Sequence, residues 1–116
     1  MLVADLDTLS LRPSVRAALR EAKAALERLY GERLVKVILF GSHARGEAHE
    51  ESDVDVLVVL QGEFRVYDEI KRTSDIVLDA SLKHQEALSL IMMAEKRFSD
   101  PGHPLMMNVN EEGIEL

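Results

Sequence analysis

Two apolar runs of strand length, Val35–Phe40 and Val54–Leu60, flank the polar segment 41–53. No other feature constrains the fold as much. Runs this continuous suit strands buried on both faces. Their closeness in sequence favours antiparallel neighbours in one sheet. Gly41 and Ser42 end the first run, and Asp53 and Asp55 open the second. Side chains at i and i+2 of a strand point to the same face. Two carboxylates that close repel unless positive charge stands between them. A divalent cation answers that need, and Mg²⁺, which prefers hard oxygen ligands, usually completes its shell with substrate phosphates. A Gly-Ser turn leading into a helical turn at 42–46 exposes backbone N–H groups that can hold phosphate. Residues 41–55 therefore read as a grip for a nucleoside triphosphate and its metal. A plain hairpin with a Ser/Gly turn and an acidic rim has no need of aspartate at two alternating strand positions.

Around this centre the pattern predicts a small mixed α/β sheet with helices on one face, in the order α-β-β-α-β-α. Residues 13–30 have helical period, with Val15, Ala18, Leu19, Ala22, Ala25, Leu26 and Leu29 on one stripe, Pro13 in the first turn and Gly31 as the stop. Gln61-Gly62 marks a turn. Residues 65–72 predict a short amphipathic helix with Val66, Tyr67 and Ile70 inward, and Asp75–Ala80 a third strand. His84–Arg97 predicts a helix with Leu88, Ile91 and Met92 on its apolar side, broken by Asp100-Pro101-Gly102. In the tail, Glu112-Gly113 predicts a turn before the apolar Ile114 and Leu116.

The spacing Gly41-Ser42, ten residues, Asp53, Asp55 resembles the signature of the DNA polymerase beta-like nucleotidyltransferases. Ala44-Arg45-Gly46 and Ser52 before Asp53 are similar to the small branch called minimal nucleotidyltransferases, or MNT. The resemblance implies the polymerase beta-like palm over one domain, residues 1–116. It implies Asp53 and Asp55 as metal-binding and catalytic residues on two Mg²⁺ ions, with ATP as substrate. A third carboxylate would come from the next strand, where it would take the proton of the attacking hydroxyl or hold the second metal. Asp75 is the choice because it opens that predicted strand, and Asp79 is the alternative. Ser42 would donate its hydroxyl and N–H to the phosphates, and Gly41 would permit their close approach. Arg45 would neutralise phosphate charge or form a structural ion pair. The resemblance further implies an antitoxin that transfers AMP to a hydroxyl, a tyrosine, of a HEPN-type toxin partner. A contact-only antitoxin and an antibiotic-type small-molecule nucleotidyltransferase are the alternatives.

Composition narrows the field. The 116 residues carry a net charge of −7, without the basic clusters that nonspecific nucleic-acid binding requires. No apolar run approaches the roughly 20 residues of a membrane span, and the acidic N-terminus lacks the basic region of a signal peptide. With no cysteine, disulfides and thiolate metal sites are excluded, and a cytoplasmic setting is expected. Asp5 and Asp7 repeat the Asp-x-Asp pattern without a Gly-Ser turn, so they read as a solvated segment. His43, His49, His84 and His103 lack zinc-site spacing and read as surface residues. Arg97 and His103 resemble the Arg-x(4–6)-His motif of HEPN ribonucleases, but Pro101 and Gly102 would break a helix presenting them together. Met92, Met93, Met106 and Met107 read mainly as core filling, with adaptable contact to a partner as the second role.

Overall fold

In the computed structural model, which describes residues 1–100 and 102–116, the two apolar runs lie side by side. β2 (Leu34–Phe40) pairs antiparallel with β3 (Val54–Leu60), Val37 opposite Val58 and Phe40 opposite Asp55. Both strands are covered on both faces, which is why they read as continuous runs. Val37, Leu39, Val54, Val56, Val58 and Leu60 pack against Val15, Leu19, Ala22 and Leu26 of α1 (Pro13–Tyr30) and Ala80 of α3 (Val66–His84). Ile38, Phe40, Leu57 and Val59 face the other way, against Met106 and Val109 of α5 (Pro104–Glu112).

The sheet has five strands in the order β1-β5-β2-β3-β4. β1 (Leu2–Val3) lies parallel to β5 (Ile114–Glu115), and β5 runs antiparallel to β2 with Ile114 opposite Leu39. β4 (Leu88–Ala94) is parallel to β3 and forms the far edge. A parallel pair needs a long crossover, and α3 supplies it. The one-turn helices α2 (Ser42–Arg45) and α4 (Glu95–Phe98) complete the layout. No helix of the described residues is long and apolar enough to cross a membrane.

The order α1, β2, β3, α3, β4, α5 matches the expected α-β-β-α-β-α, but β1 and β5 extend the sheet beyond it, α5 covers the face opposite α1 and α3 where helices were expected on one face only, and two segments change type. The predicted strand Asp75–Ala80 lies inside α3. Glu69, Thr73, Ile76 and Ala80 recur at helical spacing on its inner side, and Val77 borders that side, so Ile76 and Val77 are half-buried helical positions. The predicted helix His84–Arg97 is instead the end of α3, then β4, then α4. α3 ends at Gln85, whose left-handed backbone (φ 55°) does the work usually given to glycine. Val66, Tyr67 and Ile70, expected inward, are exposed. α1 matches its predicted span, although Leu29 is exposed and Tyr30 takes its place in the core. Met92, Met93 and Met106 are buried, whereas nothing is described of the Met107 side chain. Pro101, invoked to break the preceding helix, lies outside the described residues.

Candidate active site

Strand alternation places Asp53 and Asp55 on the sheet face opposite α1 and α3, because Val54 and Val56 between and beyond them face those helices. Asp53 is exposed just before β3, and Asp55 is half-buried within it. On the neighbouring strand the chain leaves Phe40 and turns sharply at Gly41 (φ 77°, ψ −156°), a conformation reserved for glycine. The turn brings the Gly41 backbone directly onto Asp55: a Cβ there would lie 2.5 Å from Asp55 Oδ2. α2 follows at once, and Gly46 ends it in the left-handed region. The turn and the acidic pair form one surface.

Burial pushes the Asp55 carboxyl above its ordinary value, and the charge of Asp53 raises it further, while His43 and Arg45 oppose the shift. The pair is thus held in mutual repulsion, as a cation-binding pair would be in the absence of its ion. Among the described residues no group of three or more His, Asp or Glu is placed to hold a metal ion. Two carboxylates on an open face suit a divalent cation that takes its remaining ligands from phosphate oxygens.

The third carboxylate is not where the sequence placed it. Asp75 and Asp79 are exposed residues of α3, on the opposite side of the sheet from Asp53 and Asp55. Asp79 lines a cleft between α1 and α3 with Glu21, Arg28 and Lys83. The strand that does neighbour β3 is β4, and there the residue in register with Asp55 is Ser89, half-buried. Arg45 is committed elsewhere: Nε donates to Glu47 at 3.0 Å and Nη1 donates to both oxygens of Glu112 at 3.1 Å, tying α2 to the end of α5. That is the structural ion pair of the two roles expected for it.

His43 was expected at the surface and is instead 7% exposed. Its Nε2 lies 3.3 Å from the Ser52 carbonyl, so it holds the residue immediately before Asp53. The turn it steadies is also closed by His49 N donating to Ser52 Oγ at 3.0 Å. Close by, the buried Glu86 precedes β4; Arg12 donates to its two oxygens at 2.8 and 3.0 Å and Ser14 Oγ to one at 2.8 Å. Burial alone would raise the Glu86 carboxyl, but these hydrogen bonds and the nearby charges of Arg12 and His43 outweigh it and hold it below its ordinary value. Sequence reading missed His43, Glu86 and Ser89. Only His43 carried a signal, its place directly after the Gly-Ser turn; the partners of Glu86 lie more than seventy residues away. His49 is exposed, His84 lies 3.7 Å from Glu21, and His103 caps α5 by accepting from Leu105 N at 3.3 Å. Arg97 and His103 stand on separate elements. Asp5 caps the first short turn and Asp7 pairs with Arg20, away from the site.

Residues 19–107 match the family model described as Nucleotidyltransferase domain. The chain is 35% identical over 97 residues to "Putative protein adenylyltransferase MJ0604" of Methanocaldococcus jannaschii, covering 83% of this chain and 91% of the relative. It is similar in fold to a solved toxin-antitoxin with AMP-PNP (TM-score 0.57, 19% identity, 81% of this chain and 68% of that one). It is also similar in fold to a chain of the solved complex of tri-AMPylated Shewanella oneidensis HEPN toxin with MNT antitoxin (TM-score 0.50, 14% identity, 84% of this chain and 70% of that one).

Proposed function

The chain belongs to the nucleotidyltransferase domain family, and on that premise we propose that it transfers AMP from ATP to a tyrosine hydroxyl of a HEPN-type toxin, acting as its antitoxin. The acceptor oxygen forms a bond to the α-phosphorus, the bond to pyrophosphate breaks, and the hydroxyl proton is released. The observation that carries this reading is the close approach of Gly41 to Asp55, which joins the Gly-Ser turn to the acidic pair. Gly41 lets the turn close onto Asp55, Ser42 would offer phosphate a hydroxyl and an N–H, and Asp53 and Asp55 would hold Mg²⁺. The cation, when bound, neutralises the carboxylates and phosphates and withdraws charge from the scissile bond. His43 steadies the turn that leads into the acidic pair. The protein acceptor is supported by the name of the relative, and the HEPN partner by the fold neighbours.

One observation favours a second reading, neutralisation by contact alone: Ser89, not a carboxylate, stands beside Asp55. Co-expression with a HEPN-type partner separates the two. Mass spectrometry of the partner should show one or more added AMP groups on tyrosine, lost in an Asp53→Asn, Asp55→Asn double variant. A partner that is inhibited yet unmodified would refute transfer and support contact alone.

A further inference from the structure

The outer side of α3 is unusually apolar. Val66, Tyr67, Ile70, Leu78 and Leu82 are exposed there. Ile70, Val77 and Leu78 form one wall of a groove of about 530 Å³, and Leu88 and Leu90 of β4 form the other. Among the described residues β4 is the last strand of the sheet, with no strand on its outer side. Ala87 turns its carbonyl inward to Val54 N at 2.7 Å, and the Leu88 N–H goes to Ser81 Oγ at 3.2 Å. Alternation therefore directs the backbone groups of Leu90 outward, where an added strand would find them.

We infer that this groove and the free edge of β4 dock an extended segment of the acceptor protein, which presents its tyrosine on the face of Asp55. The inference rests on the transfer to a protein hydroxyl proposed above. What identifies the occupant is continuity with the site: Ser89 lines the groove and is also the cross-strand partner of Asp55. A strand added to β4 would lie two strand spacings, roughly 10 Å, from β3. Its side chains would alternate, one into the apolar groove and the next onto the face that carries Ser89 and Asp55. Of the hydroxyl side chains only tyrosine is long enough to span most of that gap toward Asp55; serine and threonine fall well short. A second copy of the chain is the poorer occupant. Its β4, Leu88–Ala94, contains no tyrosine, so pairing two such edges would fill the groove without supplying the acceptor.

The test uses the full chain, labelled ATP with Mg²⁺, and peptide libraries centred on tyrosine, serine or threonine with randomised flanks. Tyrosine peptides should be labelled selectively, with large apolar residues preferred one or three positions from the tyrosine. Bound peptide should slow amide exchange at Leu90. Leu78→Glu changes an exposed groove residue, so folding is spared; it should raise KM for peptide about tenfold or more, the worth of one buried leucine, and leave ATP affinity unchanged. Labelling without flank preference, or a wild-type KM in Leu78→Glu, overturns the docking site while leaving the transferase reading intact. A dimer of the chain alone that Leu78→Glu dissolves assigns the groove to a second copy and also overturns it. If ATP binds but no peptide is labelled, the transferase reading fails, and the assignment of an acceptor segment to the groove fails with it whether or not Leu90 is protected.

Discussion

Gly41→Ala tests the join between turn and carboxylates, and its two costs can be separated. The backbone at φ 77°, ψ −156° belongs to a region that only glycine enters freely, so alanine there costs about 1–3 kcal/mol of stability. The new Cβ would also meet Asp55 Oδ2 at 2.5 Å, where ordinary contact begins at 3.4 Å. The carboxylate end is mobile, so it retreats by nearly an ångström at little energetic cost, and the acidic pair loses its geometry. A misplacement of about 1 Å can cost on the order of a hundredfold in rate. Gly46→Ala is the control: its φ of 74° imposes a left-handed penalty of about 1–2 kcal/mol, but nothing lies within 4 Å of the added carbon. Thermal unfolding should therefore show both variants destabilised, each by several degrees for a chain this size. Rates measured well below both unfolding temperatures should be near wild type for Gly46→Ala and about a hundredfold lower for Gly41→Ala. Equal activity in the two variants would refute the reasoning, since the contact with Asp55 would then have no functional weight.

Asp55→Asn should unfold at higher urea than wild type at neutral pH, because it removes a half-buried charge repelled by Asp53, and it should lose transfer; a lower urea midpoint would contradict the repulsion. Glu86→Gln should cost about 1–3 kcal/mol at pH 7 by weakening the bonds from Arg12 and Ser14. Because the folded carboxyl lies below its ordinary value, that contribution is present above the unfolded value of about 4.3 and is lost as pH falls through the lower folded value. Chemical denaturation of wild type and variant should thus converge in acid, and parallel curves would rule this out. His43→Ala frees the Ser52 carbonyl before Asp53, so it should lower kcat more than it raises KM for ATP; calorimetry and initial rates distinguish this from simple loss of nucleotide binding.

Much of the centre is legible in one dimension because its parts are local. Val35–Phe40 and Val54–Leu60 are long, apolar and close together, so their pairing has little competition. Gly41, Ser42, Asp53 and Asp55 sit at the ends of those strands, and period-two geometry alone gives the two aspartates a common face. α1 is read equally well, since its stripe, its proline and its terminal glycine agree. The family signature is local for the same reason.

Tertiary structure decided the rest. Asp75–Ala80 and Leu88–Ala94 are both apolar and suit either period, so only packing assigns the first to α3 and the second to β4. The boundary between them rests on Gln85, a residue with no propensity for the left-handed turn it makes. Once α3 is the crossover, Asp75 and Asp79 fall on the wrong side of the sheet, and parallel register sets Ser89 beside Asp55. Local patterning cannot report that register, because which residue of β4 meets Asp55 depends on how an intervening helix spans the sheet. The same holds for Glu86, whose bonds to Arg12 and Ser14 cross most of the chain, and for His43, buried where its ring meets the Ser52 carbonyl.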